Sequence, residues 1–364
     1  MTLEGIIGNQ DAVRALKGMV VSGHIPHAMM LYENDGCGAL AVLNAFLGEI
    51  FNDEHRVCRM IHPDIHYVYP VANGSRVKEK VDNLRSSLFL NYWRDLMSAN
   101  PYALESEVDS AFGIEGKLKV INAAQAKEIL ETVYLAPVEG GYKAVVVYLP
   151  EKMNASSANR LLKAIEEPPE KTLFLMVTHA PDKVLQTISS RCQAVRIMPQ
   201  TKEEVKDILV GSFGKDESLA REAALSAGGS VGEALQFLSE NEEGRGQEEL
   251  FVKMMQALVA KDLKTLLDCA DALAGQTSKE RQKAFCKYAS EALRKIFLLQ
   301  QKLDTLVSIP AGQEDLYRSL AKGLRKNFPR LALGCLDKAD LMLDRNVNQK
   351  IIFCDLVGQM YLLS

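Results

Sequence analysis

His27-Ala28-Met29-Met30-Leu31-Tyr32, then Glu33-Asn34-Asp35-Gly36-Cys37-Gly38-Ala39-Leu40, then a helical pattern from Ala41 to Phe51: this stretch decides the fold. An apolar run, a glycine-bearing turn and a helix form the context of a phosphate-binding loop. A working loop reads G-x-x-x-x-G-K-[ST]. Its lysine reaches the β- and γ-phosphates, its hydroxyl holds Mg²⁺, and its glycines let backbone N–H groups approach the phosphate. Here Glu33 stands in place of the first glycine, Ala39 in place of the lysine and Leu40 in place of the Ser/Thr. The scaffold predicts a nucleotide fold, and the missing ligands predict no nucleotide hydrolysis. The alternative is that Gly36 and Gly38 only turn the chain from strand to helix in some α/β protein.

Outward from that loop, residues 1–200 alternate helical and strand patterns. Helices are expected over Asn9–Val21, Leu40–Phe51, Ala123–Leu135 and Asn154–Glu167, with a short one over Asp182–Ser190. Strands are expected over Ala28–Tyr32, Ile65–Val71, Lys143–Leu149, Thr172–Thr178 and Ala194–Ile197. Such alternation predicts an α/β fold with a mainly parallel sheet. In the best-defined helix Asn154 is the expected N-cap, Ala158, Leu161, Leu162 and Ile165 form the apolar stripe, and Pro168-Pro169 stop it. Residues 76–118, with the only tryptophan, Trp93, are polar and irregular and look like an insertion without an evident role. Residues 201–240 form a small helical unit, and the charged stretch Glu240–Gly246 a linker. Residues 247–364 are helical by period, with turns near Gly275, Pro310-Ala311-Gly312 and Asn346.

The chain has 364 residues, 47% hydrophobic and 25% charged, with a net charge of −4 and a pI near 6.0. That balance argues against strong autonomous binding to DNA or to an anionic membrane, while leaving room for a local basic patch inside an assembly. The N-terminus shows no basic-then-apolar leader, and no apolar run approaches bilayer-spanning length. Seven scattered cysteines suggest free thiols in a reducing cytoplasm. Cys58 with His55, His62 and His66 is the one candidate zinc site. The chain has no C-x-x-C pair, so the expectation is no metal and no cofactor.

Three segments in order carry a resemblance: the altered loop; Gly140-Gly141-Tyr142-Lys143 through Lys152-Met153-Asn154, Ala158-Asn159-Arg160-Leu161-Leu162-Lys163 and Glu166-Glu167-Pro168-Pro169; and Thr178 followed by Ser190-Arg191-Cys192. The chain resembles the delta-prime family of bacterial DNA polymerase III clamp-loader subunits, within the AAA+ superfamily. Arg345-Asn346-Val347-Asn348 before the last helix also fits that family. The resemblance implies an AAA+ domain over 1–200, a helical lid over 201–240 and a helical collar over 247–364. It implies a hetero-oligomeric ring that loads a sliding clamp onto primer–template DNA during replication. The partners it implies are ATPase subunits, a delta wrench subunit, the clamp and DNA, with no membrane.

The departures sharpen this expectation. The acidic pair that would hold Mg²⁺ and activate water aligns with Tyr148-Leu149, and the sensor-2 arginine aligns with Gly232. With Ala39 and Leu40, four nucleotide elements are missing together, so the expected subunit is a non-catalytic stator within a polymerase holoenzyme. The alternative is an active AAA+ ATPase with an unusual pocket; a DNA-binding protein unrelated to clamp loading is a further rival. The family's four-cysteine zinc module is reduced to Cys58. The resemblance makes Arg191 an arginine finger reaching a neighbour's ATP, with Ser190 and Cys192 shaping its turn; the alternative is that Arg191 caps the 182–190 helix. Thr178 is either a sensor or a polar strand end, Glu166 and Glu167 surface or inter-subunit contacts, and His179 has no nucleophile or metal beside it.

Overall fold

Apolar runs fix the sheet. The computed structural model describes residues 2–80, 83–276, 279–303, 314–345 and 347–364. Its strands are β1 (Ala28–Tyr32), β2 (Ile65–Val68), β3 (Lys143–Tyr148), β4 (Thr172–Thr178) and β5 (Gln193–Arg196). They form one parallel sheet in the order β2-β3-β4-β1-β5. Every residue of β3 and β4 is buried, as continuous apolar strands in a sheet covered on both faces must be. The fold is the expected α/β type with a parallel sheet, and β1, the glycine-bearing turn and α2 follow one another as expected.

Helices cover both faces: α1 (Gln10–Ser22), α2 (Ala39–Phe51), α3 (Glu54–Cys58), α4 (Leu90–Ala99), α5 (Glu105–Phe112), α6 (Ala123–Val133), α7 (Ala155–Glu166) and α8 (Gln186–Ser189). The expected cap on α7 is present: Asn154 Oδ1 accepts from the Ser157 N–H at 2.8 Å. Ala158, Leu161 and Ile165 are buried with Ile129, Phe174 and Met176 on one sheet face. Two expectations need shortening. The strand expected over Ile65–Val71 ends at Val68, because Pro70 has no N–H to donate; Val71 instead forms an isolated antiparallel bridge with Val120. The helix expected over Asp182–Ser190 divides into a 3-10 turn, Pro181–Lys183, and α8.

The stretch read as an insertion is part of the core. Phe89, Trp93 and Phe112 are fully buried with Leu43, Phe46, Tyr69 and Tyr148 on the other sheet face. The Trp93 ring stacks on Tyr69 at 4.7 Å and lies 5.4 Å from Tyr148. Burying one such aromatic contributes about 4–6 kcal/mol by area.

After β5, Thr201 caps α9 (Lys202–Phe213) in a reciprocal box with Glu204. Helix α10 (Glu217–Ser226) follows, then the left-handed pair Gly228-Gly229 and α11 (Val231–Ala260). Val205, Leu209, Ala220, Ala224, Val231 and Leu238 form a small core with Ala41 and Tyr102. The linker expected at Glu240–Gly246 is absent: α11 runs through it. Two exposed glycines there cost about 1 kcal/mol each relative to alanine, too little to break a helix made otherwise of good formers.

Contacts group residues 1–238 into one unit and 239–364 into another. The second is helical: α12 (Leu263–Ala274), α13 (Lys279–Gln300), α14 (Glu314–Gly323), α15 (Phe328–Asp344) and α16 (Gln349–Leu363). Its core gathers Phe251, Leu258, Phe285, Leu293, Phe328, Leu336, Phe353 and Leu356. The turn expected near Gly275 follows α12. Those expected at Pro310-Ala311-Gly312 and at Asn346 lie outside the described residues. No helix among the described residues is long and apolar enough to cross a membrane.

Candidate functional site

The loop after β1 leaves the carboxyl end of the sheet, where Tyr32 pairs with Thr178 of β4 on one side and Arg196 of β5 on the other. In open α/β sheets that edge is where ligands bind. Gly36 and Gly38 both turn with positive φ, 74° and 104°. Gly38 is the residue before α2, so the first N–H groups of that helix face the loop. There the Ala39 N–H donates to Glu33 Oε2 at 2.7 Å. Glu33 is 8% exposed. The chain's own carboxylate therefore holds the helix N-terminus, the place where a phosphate-binding loop offers its donors to an anion. Ala39 and Leu40 are buried and offer no polar side chain.

The space in front of the loop is also filled. A Cβ built on Gly38 would lie 2.6 Å from the Tyr102 ring, and one on Gly36 2.7 Å from Leu104 Cδ2. One on Gly232 would lie 2.4 Å from the Tyr102 carbonyl oxygen. Tyr102 and Leu104 belong to the stretch between α4 and α5. From the other side, the Gly232 N–H donates to the Gly36 carbonyl at 3.1 Å and Ser230 Oγ to the Asp35 carbonyl at 2.8 Å. Gln200 Nε2 donates to the Cys37 carbonyl at 2.7 Å. An arginine at position 232 has no room: any side chain there meets backbone.

Beside the loop lies a partly buried charge cluster. His179 Nε2 is 3.6 Å from Glu33 Oε1 and 3.6 Å from Asp35 Oδ1, and its Nδ1 is 3.7 Å from Glu105 Oε2. These are ion-pair distances rather than hydrogen bonds. Burial disfavours charge on the imidazole, but the Glu105, Glu33 and Asp35 carboxylates outweigh it and raise His179 to about 10. His179 opposes burial at Glu105 and, with Lys119 and Lys152, holds that carboxyl far below its usual range. Burial pushes Glu33 up, with His179 pulling it back. Lys119 reaches Glu105 at 2.8 Å and Lys152 reaches it at 3.3 Å, while Asp35 accepts the Glu105 N–H at 3.0 Å.

The two residues aligned with the acidic pair do other work. Tyr148 is buried beneath the cluster, its ring edge-on to His179 at 5.6 Å. Leu149 turns with φ 57° and donates its N–H to the Val177 carbonyl at 2.8 Å. Thr178 Oγ1 donates to Glu151 Oε2 at 2.7 Å, and the His179 N–H to Glu151 Oε1 at 3.2 Å. The structure thus brings Glu33, Gly36, Gly38, Ala39, Leu40, Tyr148, Leu149, Thr178 and Gly232 around one place. Sequence reasoning missed Asp35, Tyr102, Leu104, Glu105 and Glu151, and gave His179 no role. Only Glu151 carried a signal, as a carboxylate two residues beyond the aligned pair; the others come from a stretch without periodicity or from a loop with no expected ligand.

Arg191 makes its contacts elsewhere, past the end of α8. Its guanidinium donates to the Thr187 carbonyl at 2.8 Å, as a helix-capping cation does, and its Nε lies 3.2 Å from Glu166 Oε2 at the end of α7. About a third of the side chain is exposed. Cys192 packs half-buried against the core face lined by Met176, and burial raises its thiol to about 11. The zinc candidates are not gathered: His55 and Cys58 lie on α3, His62 packs on Phe51 at 4.5 Å, and His66 is on β2. No group of three or more such ligands occurs among the described residues.

The model of one protein family, described as "DNA polymerase III, delta subunit", matches residues 8–201. A DNA polymerase III subunit gamma of Buchnera aphidicola is 32% identical over 31% of this chain and 33% of its own. Subunits delta' of Pseudomonas aeruginosa and Bacillus subtilis are 39% and 30% identical over 20% and 38% of this chain, and 23% and 41% of theirs. The chain therefore spans less than half the length of these curated relatives. A gamma subunit-related protein of Thermotoga maritima aligns over 96% of this chain and 99% of its own at 14% identity, with a TM-score of 0.31. The RuvB branch migration motor of the same organism aligns over 90% and 85% at 13% identity, with a TM-score of 0.39. Scores this low add nothing to the sheet order described above.

Proposed function

The chain belongs to the DNA polymerase III delta-subunit family, and from that premise we propose that it is the non-catalytic stator of a sliding-clamp loader. It holds a fixed place in a five-subunit ring through a collar formed by residues 247–364. It contacts ATPase subunits and a wrench subunit, and the ring places the clamp on primer–template DNA. Arg191 enters the neighbouring ATPase site, where a bidentate guanidinium stabilises charge developing on the transferred phosphoryl group. The chain hydrolyses nothing itself.

The observation that carries the non-catalytic reading is the filled loop. Glu33 takes the donor at the start of α2, and Tyr102 and Leu104 take the space a nucleotide would need. An ATPase with an unusual pocket requires both to leave, no polar residue at 39, 40 or 149 waits to replace the missing ligands, and Tyr148 is buried with a phenol in place of a carboxylate.

The test is DNA- and clamp-stimulated ATP hydrolysis by a ring rebuilt from the cognate subunits, with this chain as wild type, as Arg191→Ala, or omitted. Omission is expected to abolish stimulation. Arg191→Ala is expected to assemble normally and hydrolyse roughly ten- to a thousandfold more slowly, less than the full range known for such fingers. Wild-type rates with Arg191→Ala reduce Arg191 to a helix cap. Unchanged rates on omission overturn the clamp-loader reading.

A further inference from the structure

The chain is acidic overall, but its charge is divided. Residues 1–238 carry 24 Lys and Arg against 30 Asp and Glu, and residues 239–364 carry 19 against 17. Within the second unit the excess is concentrated. From Leu316 to Leu336 there are five cations, Arg318, Lys322, Arg325, Lys326 and Arg330, and no carboxylate. All five are exposed. Tyr317, Leu320 and Leu324 point into the helical core, so the cations occupy the opposite face of α14 and the turn beyond it.

That turn is built. Gln300, at the end of α13, donates from one amide nitrogen to the Ala321 carbonyl at 3.0 Å and the Leu324 carbonyl at 3.1 Å. The clip holds the end of α14 against α13 and opens a groove of about 450 Å³. Lys302, Arg318, Lys322 and Lys326 line it, and among the described residues its wall holds no carboxylate. Arg318 and Lys322 are one helical turn apart, about 6 Å along the axis, comparable with the spacing of successive phosphates along one strand. Lys326 and Arg330 flank the start of α15, whose first turn holds no acidic residue. Positive side chains at a helix N-terminus oppose the helix dipole, so this arrangement disfavours the isolated protein and suits a bound polyanion.

We propose that this groove binds the phosphate backbone of a nucleic acid, without reading its sequence. A row of ammonium groups and one guanidinium neutralises phosphates and contributes affinity that falls steeply with salt. The acidic first unit explains why composition alone hides the site. The proposal uses neither Arg191 nor the filled loop, so the ring ATPase assay can fail without touching it.

The experiment uses the full chain and a fluorescein-labelled primer–template DNA, followed by anisotropy from about 50 to 200 mM salt. Wild type is expected to bind at the low end, with log Kobs falling linearly with log salt. Lys302→Ala, Lys322→Ala and Lys326→Ala together are expected to flatten that slope by about 0.9 for each duplex phosphate no longer neutralised. The charge-reversed triple Lys302→Glu, Lys322→Glu and Lys326→Glu is expected to lose binding, with its helical circular dichroism intact. A control triple of equal charge, Lys253→Glu, Lys264→Glu and Lys287→Glu, is expected to retain most of it. Equal losses from both reversed triples, or unchanged slopes in the alanine triple, overturn the site. Displacement of the labelled DNA by polyglutamate as readily as by unlabelled DNA overturns it too, because the groove then accepts any polyanion.

Discussion

His179 sits within 3.6–3.7 Å of three carboxylates while largely buried. Its ordinary imidazole range is left behind because those carboxylates outweigh burial and raise it to about 10. A folded value above the unfolded one means that the charged form stabilises the fold. That contribution is complete below about pH 6.5 and is lost as pH rises towards 10. The stability difference between wild type and His179→Gln, from urea titrations, is therefore expected to shrink by a few kcal/mol between pH 6.5 and 9.5. A difference that stays constant over that window means His179 is neutral in the folded chain. The sequence made Glu33 legible as a departure, since a carboxylate in a phosphate loop is the wrong sign. It did not make His179 legible, because its partners arrive from residues 33, 35 and 105, far apart in the chain.

Helix α11 and the stretch around α4 and α5 are the elements least legible in the sequence, for different reasons. In α11 the buried positions Val231, Ala234 and Leu238 are followed by no buried apolar residue until Phe251. With the stripe interrupted and Glu240–Gly246 highly charged, the pattern imitates a linker. The structure has a helix of 30 residues there. Gly244→Ala and Gly246→Ala are each expected to raise stability by about 0.5–1 kcal/mol in chemical denaturation. Loss of stability in both would restore the linker. The stretch at 76–118 reads as an insertion because its aromatics fall without a fixed period. They meet only in space, where Phe89, Trp93 and Phe112 cover the sheet and carry Tyr102 to the loop. The sheet is legible apart from the end of β2, which stops at Val68, because continuous buried strands such as β3 and β4 leave a signal that needs no partner.

Across the whole molecule, strand type and order of elements follow from periodicity, whereas the contents of the loop depend on contacts between distant segments. Restoring the loop chemistry tests that dependence. The triple change Glu33→Gly, Ala39→Lys and Leu40→Thr rebuilds the three altered ligand positions. It is expected to show no ATP binding by isothermal titration calorimetry and to lower stability by about 2–4 kcal/mol, because it leaves the N–H of residue 39 and the His179 ring without the Glu33 carboxylate. Micromolar binding of ATP by that variant would show that Tyr102 and Leu104 yield readily. The close approach of Tyr102 to Gly38 and Gly232 also has a historical consequence. A change at position 33, 39 or 40 alone leaves the Tyr102 ring against Gly38 and its carbonyl against Gly232, so no single step towards a working loop clears the space in front of it. The arrangement acts as a ratchet: regaining a working loop takes a shift of the segment carrying Tyr102 and Leu104 as well as changes at positions 33, 39 and 40.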